Sequence, residues 1–91
     1  MVIEACIESF EEAIQAQQNG ADRIELCSRL DLDGLTPSPE LIKKVCAVLK
    51  IPVMVMIRPR EGDFIYSGEE IRKMISEIRM AKSLGAAGVV F

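Results

Sequence analysis

The chain has 91 residues and a net charge of −3, and its composition, with 49% hydrophobic and 27% charged residues, is that of an ordinary globular protein. This length allows one small domain, and the composition excludes a disordered chain. The acidic balance argues against nucleic-acid or anionic-membrane binding through bulk charge, and no apolar run approaches the roughly 18 residues of a membrane span. Histidine is absent, which excludes histidine-dependent triads and histidine metal sites within this chain.

The N-terminus and the cysteines predict a cytoplasmic protein. Residues 1–4 carry no basic segment and lead into no signal-like apolar run. The three cysteines, Cys6, Cys27 and Cys46, form no CxxC pair. An odd number of cysteines without such spacing is most simply a set of free thiols in a reducing compartment.

The first half of the chain alternates strand and helix. Residues 2–7 are rich in β-formers and predict a strand. Ser9 opens a helix, and its spacing to Glu12 matches a capping box, in which the hydroxyl and the carboxylate satisfy free backbone amides. Residues 22–27 predict a second strand, and residues 28–37 predict a solvated loop.

The second half repeats this alternation. A helix begins at Ser38, with proline at its first position, and a strand follows over residues 53–57. After a loop, Ser67 begins a third helix with another capping-box sequence, and residues 88–91 predict a fourth strand. The predicted apolar faces are Leu41, Ile42, Val45, Cys46, Val48 and Leu49 in the second helix, and Ile71, Met74, Ile75, Ile78, Ala81 and Leu84 in the third.

The resulting order, β-α-β-α-β-α-β, predicts an α/β fold built from parallel βα units. The first two strands alternate apolar and polar residues, which suits a barrel better than the fully buried strands of an open sheet. No Gly-x-Gly-x-x-Gly motif supports a dinucleotide fold. We therefore expect an incomplete TIM (β/α)8 barrel with three to four strands and three helices, forming one partial domain over residues 1–91. A whole barrel needs about 250 residues, so we expect a fragment of a larger barrel, whose open strand edges favour a homo-oligomer.

A repeated tripeptide places thiols on the predicted inward face of the sheet. Glu4-Ala-Cys6 and Glu25-Leu-Cys27 put both glutamates and both cysteines on one side, and the thiols are close if the two strand registers match. In the third strand we assign Met54, Met56 and Arg58 to the same side. Thiolate and thioether groups select Cu(I), so Cys6 and Cys27 are candidate metal ligands. The alternative is that these residues are ordinary apolar core fillers.

The same face and the loop after the third strand also suggest an anion-binding or acid–base site. Active sites of such barrels lie at the carboxyl ends of the strands, where a guanidinium can bind a carboxylate or phosphate by two hydrogen bonds. The candidates are Arg23, Arg58 and Arg60 for substrate binding, and Glu4, Glu25, Arg58 and Asp63 for catalysis. The alternative is that the arginines only neutralise the glutamates. Residue types alone leave open whether the protein is an enzyme.

Three motifs, residues 19–27, 34–38 and 57–67, resemble the copper homeostasis protein CutC family in order and spacing. The resemblance implies a (β/α)8 barrel, a cytoplasmic location and a role in copper homeostasis, with Cu(I) binding proposed for some members. It marks Cys6 and Cys27 as candidate ligands. The positions that match the family's barrel-mouth site are Glu4, Arg23, Glu25, Arg58, Arg60 and Asp63. Two positions depart from the family pattern, since Asp33 and Glu61 stand where glycine is usual.

Three functional hypotheses follow. The first is a cytoplasmic copper homeostasis protein that binds Cu(I) through Cys6 and Cys27. The second is a barrel enzyme that acts on a small anionic substrate at an Arg/Glu site. The third is an inactive truncated chain that self-associates. The expected partner is accordingly a copper ion or a small anionic ligand, with a homo-oligomeric assembly and neither nucleic acid nor membrane.

Overall fold

The computed structural model describes residues 2–91 and contains four strands and three α-helices in strict alternation. The elements are β1 (Glu4–Ile7), α1 (Phe10–Gln18), β2 (Arg23–Leu26), α2 (Pro39–Val48), β3 (Val53–Met56), α3 (Gly68–Ser83) and β4 (Gly88–Val90). The predicted α/β class and element order are confirmed. The loop after β2 contains a 3-10 turn, Leu30–Leu32, that the sequence pattern did not predict.

All neighbouring strands pair in parallel, in the order β1-β2-β3-β4. One face of this sheet packs against the three helices, because alternate strand residues are branched and apolar. The buried side chains of this core are Ile7, Ile24, Leu26, Val53, Val55 and Ile57 from the strand segments and Ala13, Ile42, Val45 and Ala81 from the helices. The core therefore lies entirely on one side of the sheet, as in a barrel wall.

The opposite face of the sheet, here called the inner face, carries Glu4 and Cys6 from β1, Arg23 and Glu25 from β2, and Met54 and Met56 from β3. These side chains are half-buried or exposed. The pairing sets Glu4 opposite Arg23 and Cys6 opposite Glu25, and Glu25 in turn lies opposite Met54. The predicted inward assignment of the two methionines is thus confirmed.

Serine hydroxyls begin the helices as predicted, although one capping box differs. At α3 both bonds of the box form, since the Ser67 hydroxyl accepts from Glu70 N–H and the Glu70 carboxylate accepts from Ser67 N–H. At α1 the Ser9 hydroxyl accepts from Glu12 N–H, but the Glu12 carboxylate accepts from Glu8 N–H instead of closing the box. Both arrangements satisfy amides that the first helical turn leaves free.

The predicted apolar faces of α2 and α3 are wider than the surfaces that are buried. Val48 is 48% exposed, and Ile71 and Ile75 are 48% and 44% exposed. The helix α3 contacts α2 and β4, so within residues 2–91 its other flank faces solvent. These three residues lie outside the core because they sit on uncovered helix flanks.

Candidate functional site

The two candidate thiols are on the same side of the sheet but not opposite each other. The repeated tripeptide would align Cys6 with Cys27, whereas the observed register is shifted by two residues and sets Cys6 opposite Glu25. Cys27 follows β2 and donates its N–H to Ile7 O at 3.0 Å. From the strand spacing and rise, two residues in this diagonal relation have Cα atoms roughly 8 Å apart. The registers of the two tripeptides therefore do not match, so the condition for placing the thiols directly opposite each other is not met.

Cys27 lies in a closed environment formed by the loop after β2. Its side chain is buried, and Sγ donates to Ile7 O at 3.5 Å. Continuing the register of β2 and β3 sets Cys27 opposite Met56. A Cβ atom on Gly34 would lie 2.7 Å from Met56 Sδ and 3.6 Å from Cys27 Cβ, so Gly34 packs directly over both side chains. Glycine is required here both by this contact and by its φ of +93°.

Cys6 is exposed, and its Sγ lies 3.9 Å from Glu25 Oε2. Burial raises the pKa of the Cys27 thiol to about 11, with further contributions from the charges of Cys6 and Glu25. Partial burial raises the pKa of Cys6 as well, followed by the negative charges of Glu25 and Glu4. Both thiols are therefore protonated at neutral pH and must lose a proton before they can ligate a metal.

The carboxylates of the inner face form a small chain with Arg23. The Arg23 guanidinium pairs with Glu4 through Nε. Partial burial raises the pKa of Glu25, and a hydrogen bond to Glu4 and the Glu4 charge raise it further. Glu4 and Arg23 are the first residues of their strands, at the end of the sheet away from Arg58. The structure thus does not bring Glu4 and Arg23 together with the candidates of the loop after β3, which are Arg58, Arg60 and Asp63.

Arg58 connects the two loops at the carboxyl ends of β2 and β3. Its side chain is buried, with the residue 8% exposed. Nη1 donates to Leu32 O at 2.8 Å and Gly34 O at 3.4 Å, and Nη2 donates to Gly62 O at 3.0 Å. Its backbone N–H donates to Thr36 Oγ1 at 2.8 Å. The side chain is therefore held by backbone carbonyls and not by the predicted glutamates.

Arg60 is engaged in a different network, which joins the loop after β3 to the start of α3. Its guanidinium pairs with Glu70, contacts Asp63 Oδ1 at 3.3 Å and donates to Ile65 O at 2.8 Å. It also stacks on Tyr66, with 5.2 Å between Cζ and the ring centroid. Asp63 is occupied as well, since its Oδ1 accepts from Ile65 N–H. These contacts give both residues a structural role in the loop.

A pocket of about 740 Å³ opens beside Arg58 at this end of the sheet. Sequence reasoning missed two of its wall residues, Phe64 and Asp33. The Phe64 ring lies 5.0 Å from Arg58 Cζ, and a six-residue spacing relates Arg58 to Phe64 as it relates Arg60 to Tyr66. This repeated spacing of an arginine and an aromatic residue was the sequence feature that could have predicted the contact between Arg58 and Phe64. Asp33, predicted to be in a solvated turn, adopts a left-handed conformation with φ of 65° at the pocket wall.

The described residues lack a ready-made metal cluster and a membrane-spanning helix. Within residues 2–91, no group of three or more Cys, Asp or Glu side chains is arranged to hold a metal ion. Within the same range, every helix is too short or too polar to cross a membrane.

Comparison with known proteins gives a consistent result. The model of the CutC family matches residues 1–91. The chain is 52% identical over 90 residues to the human copper homeostasis protein cutC homolog, covering 99% of this chain and 33% of that protein. It is 53% identical to a family protein CutC from Histophilus somni (strain 2336), and the match covers 99% of this chain and 37% of that protein. The chain thus spans about a third of the length of these curated relatives.

The fold agrees with this comparison. The crystal structure of the putative copper homeostasis protein CutC from Streptococcus agalactiae superposes with a TM-score of 0.91 at 35% identity, covering all of this chain and 45% of the other. The parallel sheet with alternating helices is therefore the partial barrel that the sequence predicted. With a family match over the whole chain and this agreement in structure, the chain belongs to the CutC family of copper homeostasis proteins.

Proposed function

We propose that the protein serves copper homeostasis by binding Cu(I) through the thiolates of Cys6 and Cys27, with the thioether of Met56 as a neighbouring soft donor. The observation that carries this proposal is the shared inner face, on which Cys27 lies diagonal to Cys6 and opposite Met56. Sulfur donors of this kind select Cu(I) over harder cations, and a Cu(I) site needs no histidine. The names of the curated relatives support the choice of metal.

The charge around the thiols also favours a cation. Glu4 and Glu25 raise the pKa of Cys6 through their negative charge, which means that their field stabilises a bound proton there. The same field stabilises a monovalent metal cation at the thiolate. Burial disfavours the free thiolates, and bound Cu(I) reduces that penalty because it cancels one of the two negative charges of the thiolate pair.

An anaerobic Cu(I) competition titration against a chromophoric chelator tests the proposal. We expect one equivalent of Cu(I) to bind the reduced wild-type protein and to be lost in the Cys6→Ser/Cys27→Ser double variant. Cys46→Ser is the matched control, because Cys46 lies on α2 and packs against the core on the other side of the sheet. We expect this control to bind Cu(I) as the wild type does.

Met56→Leu, a substitution of similar volume, tests the thioether. Weaker Cu(I) binding in this variant supports a contribution from the Met56 sulfur, whereas unchanged affinity restricts the site to the two thiols. Equal binding by the double cysteine variant and the wild type contradicts the proposed site altogether.

The compartment proposed for this activity is the cytoplasm. All three cysteines are free thiols, with Cys6 exposed. Thiols remain reduced in the cytoplasm, and only reduced thiols can ligate Cu(I) in this way.

A further inference from the structure

We propose that the pocket beside Arg58 is a binding site for a small organic oxyanion, a carboxylate or a phosphate ester attached to an apolar body. This site lies at the carboxyl ends of β2 and β3 and does not depend on the proposed Cu(I) site. Three observations carry the proposal: an uncompensated buried charge, unused hydrogen-bond donors on that charge, and the apolar walls of the pocket.

The first observation is the charge of Arg58. Buried charged groups are normally paired with an opposite charge, because removal from water is costly. Among the ion pairs of residues 2–91, Arg23 and Arg60 have carboxylate partners, as does Arg29, which pairs with Asp31. Arg58 is more buried than any of these, and its side-chain hydrogen bonds go only to backbone carbonyls. Carbonyl dipoles satisfy some of its donors but carry no net negative charge, so the positive charge of Arg58 is left for a ligand to neutralise.

The second observation is the pattern of occupied donors. A guanidinium has five N–H donors, and three carbonyls accept from Arg58, two at Nη1 and one at Nη2. One Nη2 hydrogen remains, and the Nε hydrogen is buried without a partner. Nε and Nη2 share one edge of the planar group, and that edge matches the two oxygens of a carboxylate or phosphate. The carbonyls therefore hold the guanidinium mainly through Nη1 and leave Nε without an acceptor.

The third observation is the shape and lining of the pocket. Its volume of about 740 Å³ is typical of small-molecule sites. Apart from Arg58 and Asp33, the wall is mostly apolar, with Met56, Ile57, Phe64, Met74, Val90 and Phe91. Phe64 lies over the guanidinium and is itself 72% exposed, so its ring covers one face of the group without being packed from outside. Asp33 on the wall disfavours a ligand that carries more than one anionic group.

Nuclear magnetic resonance of arginine side chains tests the site directly, because the Nε–Hε signal of a buried arginine exchanges slowly with water. The probes are phenyl phosphate, benzoate, inorganic phosphate and the neutral benzyl alcohol, each at concentrations up to about 10 mM. We expect phenyl phosphate or benzoate to shift the Arg58 Nε–Hε signal with saturation. Inorganic phosphate and benzyl alcohol should bind at least about tenfold more weakly. Inorganic phosphate has the anionic group but no apolar body, and benzyl alcohol has the apolar body but no anionic group. The response to phenyl phosphate compared with benzoate distinguishes the two oxyanion sources.

Variants separate the charge from the hydrogen-bond geometry. Arg58→Lys keeps the charge but loses the two-pronged edge, and we expect about tenfold weaker binding of the organic anion. Isothermal titration calorimetry of the variant beside the wild type measures this change, because the variant has no Arg58 signal. Arg79→Ala, on the exposed surface of α3, is the matched control and should bind as the wild type does. The Cys6→Ser/Cys27→Ser variant should also retain anion binding, so failure of the copper proposal and failure of this one are distinguishable. The proposal is overturned if none of the anions shifts the Arg58 signal of the wild-type protein, or if benzyl alcohol binds as tightly as the anions.

Discussion

Burial and charge act on the cysteines in ways that the residue types alone only partly predicted. The alternation of β1 and β2 correctly predicted that Cys6 and Cys27 share a face, since the two-residue period of a strand is intrinsic. The offset between them was not predictable, because register depends on the connecting helix and loops and not on the strand sequences. The loop glycine over Cys27 and Met56 was missed for the same reason.

The raised thiol pKa values predict a steep pH dependence of Cu(I) binding. Each thiol that is protonated in the free protein releases one proton on binding, so apparent affinity rises as pH increases toward the thiol pKa. The pKa of Cys27 is about 11 and that of Cys6 is raised, so both thiols contribute near neutral pH. We expect affinity to rise on the order of 100-fold per pH unit between about pH 6 and pH 8.

The measurement is the chelator competition repeated across this range, with the proton dependence of the chelator subtracted. The Cys6→Ser single variant provides the internal comparison, since a single remaining thiol should give a slope of about tenfold per pH unit. An affinity that does not change with pH would show that neither thiol is the ligand.

The arginines illustrate what sequence can and cannot establish about a loop. The motif Arg58-Pro-Arg60 correctly indicated a cationic loop after β3. Its chemistry depends on which carbonyls approach each guanidinium, and that follows from loop conformation. The structure gives Arg60 two carboxylate partners and gives Arg58 none. Of these two arginines, Arg58 therefore keeps donors for a ligand.

Among the helices of residues 2–91, α3 is the one whose first turn has both hydrogen bonds of a capping box. The capping box of Ser67 and Glu70 also involves Arg60, because the Glu70 carboxylate pairs with that guanidinium. The backbone hydrogen bond from Ser67, followed by this pairing with Arg60, holds the pKa of Glu70 below its usual range. One helix terminus thus orders both the helix and the loop before it.

Loss of the cap should lower stability measurably. We expect Ser67→Ala to reduce the free energy of unfolding by about 1 kcal/mol, because the Glu70 N–H loses its side-chain acceptor. Urea denaturation followed by circular dichroism measures the change. Ser76→Ala, at an exposed position inside the same helix, is the control and should stay within about 0.5 kcal/mol of the wild type. A loss no larger than that of the control would show that the cap contributes nothing to stability.

Helical periodicity predicted where α2 and α3 lie but overestimated their buried faces. Val48, Ile71 and Ile75 fit the 3.6-residue pattern and are nevertheless exposed. Periodicity reports which side of a helix is apolar, whereas burial depends on the neighbours that the side meets. For α3 those neighbours are α2 and β4 in the described residues.

At the scale of the whole molecule, order and handedness follow from the βα repeat, so the parallel sheet was predictable. A barrel, and not an open sheet, was predicted from the polar residues on the inner face. The likeness to the Streptococcus agalactiae protein confirms the partial barrel. The strand stagger that curves the wall could not be read from the pattern, because it is a property of pairing.

The exposed sheet surfaces predict self-association of this chain. Within residues 2–91, β1 and β4 each pair on one side only, and the inner face remains half-open. Unpaired strand edges are templates for further pairing. We expect light scattering after size-exclusion chromatography to give a mass above the 10.1 kDa of one chain. The buffer contains a reductant, so that the exposed Cys6 cannot link two chains through a disulfide. A mass of one chain at every protein concentration would contradict the prediction.

The bonds between Arg58 and the loop after β2 have a consequence for the order of folding. They join residues separated by 24 and 26 positions, and a further bond links Arg58 to Thr36 across 22. The loop carbonyls Leu32 O and Gly34 O receive these bonds only once Arg58, which follows β3, is in place. We expect closure over Cys27 to be completed late, because Gly34, which covers that thiol, is held by Arg58 as well as by Arg29 O. During synthesis the thiol would remain accessible until the residues that close it have been made.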